Sequence, residues 1–190
     1  MKLRAKMLSA FGALILELLV SGVTAVMAFM TVIQSTNVLV DNLFPSDESA
    51  STIQLQMTRA HLWLEEILSG AEDPERYQEV EESFATVSTA LDDMEGHLEE
   101  LNASGAIPDD AHRRISGFVT SLGNTLSSLS EQAQVRFDAY AMTGVSSQSM
   151  DMSFDSIYER FTTQSSQVKE GLQDLIHERQ SAMQRRSNLG

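Results

Sequence analysis

From Tyr77 to Leu101 apolar residues return every three or four positions: Tyr77, Val80, Phe84, Val87, Leu91, Met94, Leu98, Leu101. That spacing keeps one face of a helix apolar and predicts a long amphipathic helix. The same pattern recurs three times. Ile53, Met57, Ala60, Leu64 and Ile67 predict a first helix ending at Gly70. Ile115, Val119, Leu122, Leu126, Leu129, Ala133, Phe137 and Tyr140 predict a third. Phe154, Tyr158, Phe161, Val168, Leu172, Leu175 and Met183 predict a fourth, with Phe154, Phe161, Val168 and Leu175 seven apart as in a bundle seam.

The gaps between these runs carry stop and start signals. Pro45 in "FPSD" cannot continue a helix, so the chain is expected to break there, with Ser46 or Asp47 capping the next one. Gly70 suits a left-handed C-cap, Asp73 an N-cap and Pro74 a first helical position. Residues 102–108 form a loop, after which Asp109 or Asp110 caps the third helix. The stretch "TGVSSQSMDM" (143–152) has no periodicity and reads as a loop, with Met150 and Met152 as loop packing. The expected fold is all-α: an antiparallel up-down four-helix bundle over 46–183, preceded by a transmembrane helix.

That last element comes from a different pattern. "FGALILELLVSGVTAVMAFMTVI" (11–33) is 23 residues with one charge, Glu17, and would extend about 35 Å, enough to span a bilayer. Lys2, Arg4 and Lys6 before it place the N-terminus inside. Glu17 then reaches the interface or a partner helix. The rival is a cleaved signal peptide, since Val26-Met27-Ala28 satisfies a small-residue cleavage rule. The organisation expected is a basic cytoplasmic N-terminus (1–10), a membrane helix (11–33), a periplasmic bundle (34–184) and a basic return to the membrane (185–190). A basic end, "QRRSNLG", reads as the approach to a second membrane helix in a longer protein.

Charge agrees with export and removes one class of partner. Residues 34–180 hold eight Lys/Arg against 26 Asp/Glu, a net of −18, while both ends are basic. An acidic middle without clustered Lys and Arg does not bind nucleic acid. Cysteine is absent, so disulfides, thiolate metal sites and c-type haem attachment are all excluded.

This layout resembles the N-terminal sensory region of bacterial methyl-accepting chemotaxis proteins and related transmembrane signal transducers. The resemblance rests on the basic start, the apolar run, the exported bundle, "QSAMQRRSNLG" at the end, and the segments "AHLWLEEILSG" and "DMSFDSIYERF". It implies a homodimer in the bacterial inner membrane. Such a dimer binds a small molecule in the periplasm and shifts a helix to signal to cytoplasmic domains beyond this chain. It also implies a role for Arg59, because arginines on the first helix of such sensors grip carboxylate ligands across the dimer seam. A guanidinium suits that bidentate task. A plain alternative is a salt bridge to Glu66 or stacking on Trp63.

The candidate chemistry concentrates in "TRAHLWLEEILSG" (58–70). With Ile53 at zero and about 100° per residue, His61 falls at about 80° and Glu65 at about 120°, on one flank one turn apart. Trp63, at about 280°, lies on the opposite flank, where a lone tryptophan is usually core. His61 and Glu65 have the spacing of two metal ligands, with Asp155 or Glu159 of the fourth helix as further donors. The same spacing also serves a rim ion pair that only stiffens the helix. The ligand-contacting set is therefore Arg59, His61, Trp63, Glu65, Asp155 and Tyr158. Leu55 and Leu62, at about 200° and 180°, form a second stripe away from the core and mark the dimer interface.

No nucleophile elbow, P-loop, glycine-rich fingerprint or HExxH pattern is present, and His61, His97, His112 and His177 are scattered. The chain is accordingly read as a sensor, not an enzyme, with no cofactor. The alternatives are a membrane-anchored structural or interaction bundle without a ligand, and a metal-binding bundle using His61 and Glu65.

Overall fold

The computed structural model describes residues 16–27, 29, 30, 33 and 36–187. The described residues are all helical apart from short connections, without a strand. Four long helices carry the core: α1 (Phe44–Leu68), α2 (Tyr77–Ala103), α3 (Asp109–Thr143) and α4 (Gln148–Ser187). Packing runs α1 on α2, α2 on α3, α3 on α4, and α4 back on α1.

Each apolar seam faces inward. Ile53, Met57, Ala60, Leu64 and Ile67 of α1 are buried, as are all eight seam positions of α2. From α3 come Ile115, Val119, Leu122, Leu126, Leu129 and Ala133; from α4 come Phe154, Phe161, Val168, Leu172 and Leu175. Phe137 and Tyr140 lie at the margin, Phe137 stacked on Tyr77 with ring centres 4.0 Å apart.

The helix ends follow the expected chemistry in part. At Gly70 (φ 77°) the Ala71 amide donates to the Glu66 carbonyl and the Gly70 amide to that of Ile67. This double closure needs a left-handed residue, which glycine adopts without strain. Asp73 caps the short 3₁₀ turn Pro74–Arg76, accepting from the Glu75 amide at 2.9 Å.

Three expectations are corrected. No break occurs at Pro45: residues 36–68 are helical throughout, with a π turn at Leu39–Leu43. A π turn widens the helix just ahead of a proline that has no N–H to donate, and the Ser46 hydroxyl donates to the Asn42 carbonyl at 2.8 Å. Neither Asp109 nor Asp110 caps α3; Pro108 holds the N-cap position, and the two acids sit in the first turn, where the helix dipole favours them. The fourth helix starts earlier than its apolar pattern, at Gln148, because the Ser147 carbonyl and hydroxyl accept from the Met150 amide.

The membrane helix expected at 11–33, and with it the inner-membrane location, does not stand. Among the described residues no helix is long and apolar enough to cross a membrane. Within that run the described stretch 16–27 is helical. Its large side chains, among them Leu16, Leu18, Leu19, Val23 and Val26, are exposed and add nothing to the core. Residues 11–15, 28, 31 and 32 lie outside the described residues, as do 1–10 and the chain end 188–190.

Candidate functional site

Where α1, α3 and the start of α4 meet, the apolar core gives way to charge. Arg136 of α3 is only 2% exposed. Its Nη1 donates to Glu65 Oε1 at 2.8 Å, and its Nη2 and Nε donate to Asp151 Oδ1 at 2.7 and 3.1 Å. Its guanidinium also lies 4.9 Å from the centre of the Phe154 ring. A buried cation is tolerated only when paired and hydrogen-bonded, and two carboxylates supply both. Ser146 donates a further hydrogen bond to Asp151. Burial alone would raise the Asp151 carboxyl, but the bonds from Ser146 and Arg136 hold it below its ordinary value.

His61 adjoins this cluster. Its ring stacks on Tyr158 (centres 4.2 Å apart, 16° between planes) and on Phe154 (5.7 Å, 8°). Its Nδ1 is buried without a hydrogen-bond partner among the described residues. Burial is the largest influence and pushes the imidazole below its ordinary pKa, with Arg136 acting the same way and Glu65 and Asp155 opposing. The ring is therefore neutral at neutral pH and keeps a lone pair. One donor atom each from His61, Glu65 and Asp155 lie within 4.8 Å of one another.

One turn toward the start of α1, a groove of about 310 Å³ runs between α1 and α4. Gln54, Met57 and Thr58 line one side, and Tyr158, Phe161, Thr162 and Ser165 the other. No charged side chain lines it. Ser165 is 2% exposed, and its hydroxyl is buried without a partner.

Of the six residues expected to contact a ligand, the fold gathers four: His61, Glu65, Asp155 and Tyr158. Trp63 is elsewhere, half-buried against the core with Arg76 stacked 4.1 Å over its ring, and Arg76 also pairs with Glu72 at 3.1 Å. Arg59 is exposed and makes no ion pair among the described residues, so neither the bridge to Glu66 nor the stack on Trp63 forms. Glu159 is exposed and outside the cluster. Leu55 and Leu62 are 59% and 54% exposed, uncovered by the other described residues.

Arg136, Asp151 and Ser165 were not anticipated. A signal for Arg136 was present, since 129, 133, 136 and 140 continue a 4-3-4 spacing that puts an arginine in the α3 seam. Asp151 had none, because it lay in a stretch expected to be a loop.

No protein family, curated protein or solved structure matches the chain.

Proposed function

We propose that this chain is a ligand-sensing domain of a signal transducer of the chemoreceptor type, with α1–α4 arranged as an antiparallel up-down bundle. The observation that carries the proposal is the α1–α4 groove with the unpartnered Ser165 hydroxyl in its wall. A buried hydroxyl without a partner costs on the order of 1–3 kcal/mol, and a ligand able to bond it recovers that energy only on binding. The lining of hydroxyls, one amide and two apolar side chains suits a small neutral molecule with hydrogen-bonding groups and an apolar body. Occupancy would press on α1 and α4 together, and the displacement of one against the other would be the signal.

In this proposal the chain binds and does not catalyse, and it acts as a homodimer. Leu55 and Leu62 would pack on their copies in a second chain, with Arg59 alongside. The test is a melting screen of the full chain against neutral polyols, amides and uncharged amino-acid derivatives. A binder is expected to raise Tm in the parent and to lose its effect in Thr162→Trp, which fills the groove from an exposed position. A screen without a binder, or a binder indifferent to Thr162→Trp, overturns the proposal.

A further inference from the structure

We infer that His61, Glu65 and Asp155 form a binding site for a divalent first-row transition cation such as Zn²⁺, beside the α1–α4 groove, with which it shares only the Tyr158 ring. Three observations converge on it. First, the geometry comes from two helices. His61 and Glu65 stand one turn apart on α1, and Asp155 comes from α4, with donor atoms within 4.8 Å of one another. Bonds of about 2.0–2.2 Å to a tetrahedral ion would set these atoms about 3.3–3.6 Å apart. Small rotations of the two carboxylates close the difference, since Asp155 is exposed and Glu65 is 44% exposed.

Second, the donors are available. The His61 ring is held in place by Tyr158 and Phe154, so little side-chain freedom is left to lose, and its Nδ1 lacks a partner. Glu65 gives only Oε1 to Arg136, and Asp155 makes no hydrogen bond or ion pair among the described residues. Glu65 can thus bridge, one oxygen on Arg136 and the other on the ion, with Arg136 orienting a ligand from behind.

Third, the cluster is acidic. Glu65 and Asp151 share the Arg136 guanidinium, and Asp155 adds a further carboxylate beside His61 and Glu65, a local net of −2 that favours a divalent ion. One imidazole with two carboxylates selects a borderline transition ion; Ca²⁺ and Mg²⁺ prefer all-oxygen shells. The half-open position leaves room for water or a ligand atom to complete the shell.

The test is calorimetric titration of the untagged full chain with ZnCl₂, paired with melting curves. One ion per chain is expected, with a raised Tm and no response to Ca²⁺ or Mg²⁺ at equal concentration. Asp155→Asn, at an exposed position and checked for folding by circular dichroism, is expected to weaken Zn²⁺ binding at least tenfold. His61→Gln is expected to do the same, and His177→Gln to change nothing. Failure of Zn²⁺ to bind overturns the inference. So does an affinity unchanged in Asp155→Asn, or an equal response to Ca²⁺. The groove screen, read through Thr162→Trp in chelator, fails or succeeds independently of these results.

Discussion

Arg136 sets the character of the site. A fully buried guanidinium is unfavourable in isolation, and its two carboxylate partners come from α1 and from the first turn of α4. The three helices are thereby joined at one point. Beside it, His61 carries the pH response. Its folded-state pKa lies below the ordinary 6.5, so the unfolded chain binds this proton more readily than the folded one. The associated stability is full above pH 6.5 and declines as pH falls below it, until the folded ring also takes the proton. Asp151 acts in the same direction at lower pH. Its folded carboxyl titrates below the ordinary 3.8, and its contribution is lost as pH falls through that lower value. Urea midpoints measured in chelator should therefore drop as pH falls from neutral through the range just below 6.5. His61→Gln should flatten that first step while leaving the more acidic one. An unchanged first step in the variant would contradict the assignment to His61.

At the level of elements, close packing of α4 on α3 depends on Gly171. A Cβ built there would lie 3.2 Å from Cγ1 of Ile115, which is itself fully buried and branched next to its backbone. Ile115 has little room to retreat, and overpacking of this kind costs about 1–3 kcal/mol. The helix-propensity gain of alanine over glycine is about 0.8–1 kcal/mol. Gly171→Ala should therefore destabilise by up to about 2 kcal/mol. Gly96 is the control. It is exposed on α2 with nothing within 4 Å of its Cβ position, so Gly96→Ala should stabilise by about 0.5–1 kcal/mol. Chemical denaturation reads both, and opposite signs are expected. A shared sign would mean that α3 and α4 pack less tightly at Ile115 than the structure has them.

At the scale of the whole molecule, the exposed stripe of Leu55 and Leu62 bears on assembly. Each leucine buried against a second copy contributes roughly 1.5–3 kcal/mol before the cost of association, so pairing through this stripe should be weak. Sedimentation of the parent at rising concentration should show a reversible dimer. Leu55→Glu with Leu62→Glu should remove it while the helical circular dichroism stays unchanged. Equal association of the double variant would exclude α1 as the interface.

Local chemistry and period were enough for much of this protein. The 3-4 spacing named every large apolar residue buried in α1 and α2 and missed only the small Ser46, Ala50, Ser83 and Ala90, because burial of an amphipathic face needs only that its apolar residues recur with the helical turn. Gly70 and Asp73 were legible for a similar reason: their roles depend on their own backbone and the next few residues. The pairing of His61 with Glu65 was legible because both ride on one helix. Other features depended on what packs against what. Pro45 reads locally as a break, yet a π turn carries the helix through it. The apolar run at 11–33 reads as a membrane span by composition, yet among the described residues no helix is long and apolar enough to cross a membrane. The spacing of α3 puts Arg136 at a seam position, but its partners Glu65, Asp151 and Phe154 come from 71, 15 and 18 residues away in the chain and only the fold brings them together. Sequence period decides which face of a helix is apolar. Only the docking of α4 on α1 and α3 decides which polar groups are left facing one another, because that depends on rotation and register between helices that no single helix encodes.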